Sequence, residues 1–270
     1  MNDDVRIIAL HGFLGHPSDW DAVKPLLPGR QVDAVNLWSL LEESGTGDWD
    51  GAGEALDARL RAITGAGGGR QAEGGGTDAG GGGRPTVLLA YSFGARLALA
   101  SDLLASGDAS CAGACLVSCN PGLATGNTAG RQARREADEK WARLLLDAPE
   151  DDIWRAWHAQ PVLATPQDAG PAGFAFRRSG LPAARETLAS AMRSFSLADQ
   201  PDFRPRLSRW RTPLLWVTGE GDTTFGALAD GLARDGVPAT FARCPGAGHR
   251  VPWDNPEGFA ALFTSWLKQL

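Results

Sequence analysis

Short, largely apolar runs alternate with amphipathic stretches along most of the chain. These runs predict strands at Val5–Leu10, Val32–Leu37, Pro85–Ala90, Ala114–Ser118, Leu214–Thr218 and Ala239–Arg243. Runs without polar alternation are typical of strands that are buried on both faces, as in a parallel sheet. Strands that alternate with helices therefore predict an α/β fold, in which a mainly parallel sheet is flanked by helices.

Apolar residues at helical spacing predict the remaining elements. The predicted helices are an amphipathic stretch around Trp20, Val23 and Leu26, a helix near 51–63, a helix after residue 92 with Leu97, Leu99, Leu103 and Leu104 on its apolar face, and a C-terminal helix over roughly 256–267. These helices fall between and after the strands, which is the pattern of βαβ units.

From residue 121 to about residue 211 the strand pattern stops. Helical segments are predicted there at 131–146, 151–159 and 183–195. An all-helical insertion between two strands indicates a cap over the edge of the sheet. We therefore expect one α/β core, residues 1–120 and 212–270, with a helical cap at 121–211.

A glycine-rich tract occupies residues 65–85. It cannot bury enough apolar surface to offset the entropy of ordering it, so we expect a disordered surface loop. A phosphate-binding loop is disfavoured because the glycines lack fixed spacing and no Gly-Lys-Ser/Thr sequence follows.

Charge and composition exclude several classes of partner. The 270 residues carry a formal net charge of −6, so no overall basic field attracts nucleic acid or an anionic membrane. The first residues are acidic where a secretory signal is basic, and no apolar run approaches the ~20 residues that span a bilayer. We expect a cytoplasmic protein, a monomer or weak homo-oligomer, without membrane or nucleic-acid partners.

Three cysteines, Cys111, Cys115 and Cys119, are spaced four residues apart. On a helix they would share one face, but residues 114–118 are predicted as a strand, whose alternate residues point to opposite faces. The spacing therefore does not converge on a metal ion, and we expect small buried or edge thiols in a reducing compartment and no metal site.

The segment Ala90-Tyr91-Ser92-Phe93-Gly94 follows a predicted strand and begins a predicted helix. A serine flanked by small residues at such a corner is typical of a nucleophile elbow, in which a sharp turn presents the hydroxyl. The alternative is a buried or helix-capping serine. Order along the chain favours the elbow, because Asp222 and His249 each follow a later strand in the order of the α/β-hydrolase triad.

The triad hypothesis assigns a role to each of the three residues. His249 would take the proton of Ser92, and Asp222 would fix the tautomer of the imidazole. Glu220 is the main alternative to Asp222 as the acid of the triad. The other histidines lie elsewhere in the predicted fold, which favours His249 as the base. The backbone N–H groups of Phe13 and Phe93 are candidates for an oxyanion hole.

Arg96 argues against an ordinary esterase. It lies four positions after Ser92 on the predicted helix, hence on the same face one turn further along. A solvated helix arginine is the alternative. An Arg96 that faces inward predicts a carboxylate in the pocket, because a guanidinium offers a planar fork that matches one.

In addition to the elbow, several longer motifs resemble those of a known family. They are His11-Gly12-Phe13-Leu14-Gly15 with Asp19-Trp20, Tyr91-Ser92-Phe93-Gly94 with Arg96, Asn120-Pro121-Gly122-Leu123, the set Arg131, Arg134, Asp138 and Trp141-Ala142, then Trp157 with Gln160-Pro161-Val162, Ser196-Leu197-Ala198-Asp199-Gln200-Pro201-Asp202, and Gly219-Glu220 with Asp222, Phe225 and His249. With these motifs the chain resembles the 2-succinyl-6-hydroxy-2,4-cyclohexadiene-1-carboxylate synthase family of menaquinone biosynthesis, a lyase branch of the α/β-hydrolase superfamily.

The resemblance implies elimination of pyruvate from 2-succinyl-5-enolpyruvoyl-6-hydroxy-3-cyclohexene-1-carboxylate, with Ser92 as the base and no cofactor. By the same resemblance a small anionic substrate would be bound by Arg96, Arg134 and Arg178, with Tyr91 and Trp157 in the pocket wall. The sequence does not separate Arg178 from Arg177, and it leaves Arg131 and Arg135 open between the pocket and an exposed helix face.

Two departures from the family pattern stand out. Ala90 begins the elbow where glycine is usual, and Asn36-Leu37-Trp38-Ser39 replaces an acidic-Leu-Pro-Gly-His turn at one edge of the pocket. The main alternative function is a carboxylesterase or C–C bond hydrolase in which Ser92 is acylated. A non-catalytic ligand-binding protein is a third reading, which the intact Ser92, Asp222 and His249 disfavour.

Overall fold

The computed structural model describes residues 5–65, 84–163 and 180–270. Within those ranges a six-stranded parallel sheet has the order β2-β1-β3-β4-β5-β6. The strands are β1 Arg6–Leu10, β2 Gln31–Val35, β3 Thr86–Tyr91, β4 Gly113–Val117, β5 Leu214–Gly219 and β6 Thr240–Cys244. The predicted parallel sheet is confirmed, with strand ends shifted by one or two residues.

Helices occupy the segments between consecutive strands from β2 onward and the segment after β6. They are α1 Leu37–Ser44, α2 Trp49–Thr64, α3 Phe93–Ala98, α4 Asp102–Ser106, α5 Thr128–Asp147, α6 Glu150–His158, α7 Arg185–Ser194, α8 Arg204–Leu207, α9 Thr223–Arg234, α10 Val251–Asp254 and α11 Pro256–Leu267. Each of the three segments predicted between residues 121 and 211 corresponds to a helix, α5, α6 or α7. The stretch predicted as a disordered glycine-rich loop lies mostly outside the described residues.

The core forms two apolar layers, one on each face of the sheet. Strands β3, β4 and β5 are buried at every position. One layer contains Trp38 and Trp216, and the other contains Trp20 and Trp253, all at most 1% exposed. Full burial of a large apolar side chain contributes ~1.5–3 kcal/mol, so these two layers contribute strongly to the stability of the sheet.

Near the N-terminus, the end of one strand and the type of one helix were predicted wrongly. The strand predicted at Val32–Leu37 ends at Val35, because the Asn36 side chain accepts the Trp38 N–H at 3.0 Å and begins helix α1. The stretch around Trp20–Leu26 forms two short 3₁₀ helices, Pro17–Ala22 and Lys24–Leu26. A continuous α-helix is interrupted there because Pro25 has no N–H to donate.

The helix predicted after residue 92 is divided into α3 and α4. Ser101 accepts the Leu104 N–H at 3.1 Å and caps α4, which ends the preceding turn. The buried carboxylate of Asp57 in α2 accepts the Ser101 hydroxyl and the backbone N–H groups of Asp102 and Leu103, at 3.1 and 3.0 Å. A single side chain of α2 therefore fixes where α4 begins.

Two further features of the fold concern the cysteines and the hydropathy of the helices. All four cysteines are buried free thiols, as expected from the sequence. No helix among the described residues is both long and apolar enough to cross a bilayer.

Asp57→Ala is expected to lower the free energy of unfolding by about 1–3 kcal/mol, because it leaves the first N–H groups of α4 without their acceptor. Urea denaturation followed by tryptophan fluorescence measures the change. Glu54→Ala, an exposed position on the same helix, is the matched control and should stay within about 0.5 kcal/mol of the parent protein. Equal effects of the two substitutions would contradict the capping role of Asp57.

Candidate active site

Ser92 lies at the corner between β3 and α3. Its backbone has φ 49° and ψ −105°, a conformation that L-residues rarely adopt. The corner is held because the Ser92 N–H donates to Val117 O at 2.9 Å and the Gly94 N–H donates to His11 O at 3.1 Å. A Cβ at Gly94 would lie 2.6 Å from His11 O, so only glycine lets α3 pack this closely on β1.

Asp222 and His249 reach Ser92 from the neighbouring strand ends. Asp222 follows β5 and caps α9 by accepting the Phe225 N–H at 3.1 Å. Its Oδ2 lies 2.8 Å from His249 Nδ1, and His249 Nε2 lies 3.3 Å from Ser92 Oγ. Both the acid and the imidazole are buried. The structure thus brings together the three side chains that the sequence selected, in the geometry of a hydroxyl, a base and an orienting acid.

The loop that carries His249 is braced by a residue that sequence reasoning missed. Ser118 directly follows β4, has φ 50°, and donates its hydroxyl to His249 O at 2.7 Å. The Phe225 ring lies 4.4 Å from the imidazole, centroid to centroid. No sequence pattern marks Ser118, because a positive φ at a non-glycine residue is imposed by tertiary contacts.

The alternative candidates for the triad acid and base make hydrogen-bond contacts elsewhere. His11 Nε2 accepts the Leu37 N–H at 3.1 Å, so its proton is on Nδ1, which lies 2.9 Å from Gly12 O. Glu220 is exposed and accepts the Gly246 N–H at 3.1 Å. His158 Nδ1 lies 2.8 Å from an Arg250 nitrogen. Each of these contacts lies away from the Ser92 hydroxyl.

Two backbone N–H groups beside Ser92 are candidates for an oxyanion hole. Phe93 is the first residue of α3, and Phe13 lies in a turn closed by a 3.0 Å hydrogen bond from Gly15 N–H to Gly12 O. In the described parts of the chain neither the Phe13 nor the Phe93 N–H donates to a protein acceptor. The two rings pack edge to face at 5.5 Å, which keeps the two segments together.

A cavity of about 360 Å³ opens in front of Ser92. Its core side is lined by Ser92, Phe93, Arg96 and His249, and its opposite side is lined by residues of the 121–211 segment, among them Arg134, Asp138, Trp157 and Met192. A smaller cavity of about 40 Å³ adjoins it and shares Phe13, Ser92, Trp157 and Leu163. Apolar walls with a few convergent polar groups are typical of small-molecule sites.

Arg96 faces into the large cavity and not into solvent. Its Nε donates to Gln200 Oε1 at 2.5 Å and its Nη2 donates to Phe195 O at 2.8 Å. The guanidinium also lies over the Trp49 ring, 5.0 Å from the centroid. Burial, with the nearby charge of Arg134, lowers the pKa of Arg96 to about 9. A positive charge held in this way favours an anionic ligand.

Three arginines of α5, Arg131, Arg134 and Arg135, lie in different environments. Arg134 lines the cavity and donates from Nε to the buried Asp138 at 2.8 Å. Arg131 instead donates to the backbone oxygens of Leu123, Ala198 and Gln200, and Arg135 forms an exposed ion pair with Asp199. The alternative left open by the sequence is thus decided, since neither Arg131 nor Arg135 lines the cavity.

The remaining predicted pocket residues differ in placement. Trp157 lines both cavities and packs against Phe13 at 5.7 Å. Tyr91 lines the smaller cavity, and burial raises the pKa of its hydroxyl far above the ordinary range, so it stays protonated. Arg178, like Arg177, lies outside the described residues. In the described ranges no group of three His, Cys, Asp or Glu side chains could hold a metal ion.

Comparisons with known sequences show which family the chain belongs to. A profile of the alpha/beta hydrolase family matches residues 7–262. The 2-succinyl-6-hydroxy-2,4-cyclohexadiene-1-carboxylate synthase of Citrobacter koseri is 38% identical over 144 residues, 52% of this chain and 52% of that protein. The synthase of the same name from Escherichia coli K12 is 33% identical over 181 residues, 67% of this chain and 68% of that protein. The match thus spans about half to two thirds of these relatives.

Solved structures show the same fold. MenH from S. aureus superposes with a TM-score of 0.75 at 19% identity, covering 100% of this chain and 95% of that chain. An esterase from Thermogutta terrifontis superposes with a TM-score of 0.66 at 19% identity, covering 98% and 90%. The chain therefore belongs to the alpha/beta hydrolase family and, within it, to the family of 2-succinyl-6-hydroxy-2,4-cyclohexadiene-1-carboxylate synthases.

Proposed function

We propose that this protein is a lyase of menaquinone biosynthesis. It eliminates pyruvate from 2-succinyl-5-enolpyruvoyl-6-hydroxy-3-cyclohexene-1-carboxylate and forms 2-succinyl-6-hydroxy-2,4-cyclohexadiene-1-carboxylate, the product named for its relatives. One observation carries the proposal, namely that Arg96 and Arg134 line the same cavity as the Ser92 hydroxyl. A substrate with several carboxylates requires fixed cations, whereas hydrolysis of a neutral ester does not.

Ser92 acts as the base in this mechanism. Its hydroxyl gives its proton to His249 Nε2 as the oxygen removes a proton from the cyclohexene ring. The C–H electrons form one new ring double bond, the existing ring double bond shifts toward the carbon that bears the enolpyruvyl group, and the C–O bond to that group breaks. The departing pyruvate enolate takes the proton held by the His249 imidazolium and becomes pyruvate, which restores the neutral histidine. Asp222, 2.8 Å from His249 Nδ1, stabilises the imidazolium that forms during the transfer.

The developing negative charge needs hydrogen-bond donors that are already in place. The N–H groups of Phe13 and Phe93 fill this role, because they flank Ser92 and make no hydrogen bond to acceptors in the described residues. Donors fixed before the reaction stabilise such charge without reorganisation, and removal of one such donor typically costs ~2.7–4 kcal/mol of transition-state stabilisation.

Arg96 and Arg134 bind substrate carboxylates, with Arg178 as a third cation carried over from the family resemblance. Trp157 and Tyr91 form walls of the two adjoining cavities. The proposed division is an α/β core, residues 1–120 and 212–270, with a helical cap at 121–211. The cavity supports it, because the first part supplies Ser92 and Arg96 and the second supplies Arg134 and Trp157.

Ser92→Ala is expected to reduce pyruvate release at least ~10³-fold, because the base and its proton path to His249 are removed together. Pyruvate is measured with the enolpyruvyl substrate and a coupled lactate dehydrogenase. Ser190→Ala, an exposed serine on α7, should keep the parent rate. Rapid hydrolysis of simple aryl esters without pyruvate release would instead indicate the esterase alternative.

Arg134→Ala should raise KM for the same substrate by ~10- to 150-fold, since a charged hydrogen bond to a carboxylate is worth ~1.5–3 kcal/mol. Steady-state kinetics measure the effect, with circular dichroism to verify folding. Arg143→Ala serves as the control on the same helix, because Arg143 forms an exposed pair with Glu139 and its loss should leave KM within ~2-fold. Equal KM values for both variants would place the substrate carboxylates elsewhere.

A further inference from the structure

We infer that Gln200 is a specificity-determining residue, which orients Arg96 with an uncharged partner and so keeps its positive charge available to a carboxylate ligand. The inference deepens the proposed function and rests on it for the identity of the substrate. The inference itself concerns only the positive charge that Arg96 presents to a small dicarboxylate in the cavity. It is carried by the partners of Arg96, by the fixation of Gln200 and by the contrast with Arg134.

The partners of Arg96 are all neutral. Its Nε donates to the Gln200 amide oxygen, its Nη2 donates to the Phe195 carbonyl, and its guanidinium lies over the rings of Trp49 and Phe93 at 5.0 and 5.9 Å. Among the described residues no carboxylate forms an ion pair with Arg96. Asp138, whose ion pair is with Arg134, acts on Arg96 only from a longer distance. The guanidinium is thus held in place on several sides without a paired negative charge.

A guanidinium carries five N–H donors, and Gln200 and Phe195 engage one each. The remaining N–H groups of Arg96 have no acceptor in the described parts of the chain, and the residue lines the large cavity. Burial without a paired carboxylate is costly for a charged group. A bound carboxylate would supply both the missing acceptors and the missing charge.

Gln200 is itself fixed in one orientation. The residue is fully buried, its Nε2 donates to Asn120 O at 2.8 Å, and its Oε1 accepts from Arg96. A flipped amide would direct the NH₂ group at the guanidinium and the oxygen at a carbonyl, so both contacts would become repulsive. The amide therefore has one arrangement, in which an acceptor always faces Arg96.

The turn that carries Gln200 is held by α5. Arg131 donates to Ala198 O at 2.6 Å and to Gln200 O at 3.1 Å. The Ser196 hydroxyl donates to the buried Asp138 at 2.7 Å, and the Gln200 N–H donates to Ser196 O at 3.0 Å. These hydrogen bonds restrict the position of the Gln200 amide. A residue that orients a ligand-binding side chain needs to be held in place in this way.

Arg134 offers the opposite case within the same cavity. Its Nε is paired with the Asp138 carboxylate, and its side chain is 42% exposed. The cavity therefore contains one arginine that is already compensated and one that is not. A carboxylate at position 200 would compensate the second as well, and the cavity would lose its free positive charge.

The experiment compares Gln200→Glu with Gln200→Met. Glutamate keeps the shape and the acceptor toward Arg96 but adds a negative charge, whereas methionine removes both hydrogen bonds and adds none. Binding of succinate, with the neutral succinamide as comparison, is followed by tryptophan fluorescence. Circular dichroism and thermal unfolding verify that each variant is folded.

We expect Gln200→Glu to weaken succinate binding at least 10-fold and to weaken it more than Gln200→Met does, with succinamide affected little by either. A purely structural role of Gln200 weakens succinate and succinamide binding alike, because both variants lose the hydrogen bond to Asn120 O and glutamate also sets an oxygen against that carbonyl. Equal weakening of the two ligands, or unchanged succinate affinity in Gln200→Glu, overturns the inference. A parent protein that binds succinate no better than succinamide overturns it as well.

The test separates this inference from the proposed function. If the parent protein binds succinate with the expected order of variants but releases no pyruvate from the enolpyruvyl substrate, Gln200 retains its role and the proposed reaction is wrong. If pyruvate is released but Gln200→Glu binds and reacts as the parent does, the reaction stands and the role of Gln200 is overturned.

Discussion

The positive φ at Ser92 is the constraint on which the rest of the site depends. A residue in such a conformation costs ~1–3 kcal/mol and persists only where its surroundings over-determine it. Here the surroundings are the parallel register of β3 with β1 and β4, which supplies the acceptors His11 O and Val117 O on either side of the corner. Because parallel strands end at one edge, the same register also delivers Asp222 and His249 to the hydroxyl.

Charge is distributed unequally around that corner. On one side of Ser92 the buried Asp222 is paired with His249, and on the other side Arg96 lies among neutral partners. The apolar walls of the cavity strengthen the electrostatic interactions of both charged groups. His249 and Arg96 thereby lie apart in the lining of one cavity, so in the proposed function a bound carboxylate need not compete with Asp222 for the imidazole.

Features with a local signal were predictable from the sequence. The small residues around Ser92 indicated the elbow, and strand order selected Asp222 and His249. What the sequence could not supply depends on contacts between distant segments. For example, the apolar run through Leu37 predicted a strand, but the Asn36 side chain caps a helix that begins at Leu37. Arg131 and Arg134 belong to one helical pattern. Their placement differs because Arg131 donates to the Ala198 and Gln200 carbonyls, 67 and 69 residues later in the chain.

Helix α5 links the two cations of the cavity. Arg134 projects from it into the cavity, while Arg131, three residues earlier, holds the turn that presents Gln200 to Arg96. Arg96 belongs to α3 of the core, so its hydrogen bond to Gln200 is a direct contact between the core and the insertion. A displacement of α5 would move Arg134 and the acceptor of Arg96 together. The spacing of the two guanidinium groups therefore depends on how α5 is positioned against α3, and a ligand that contacts both would hold that position.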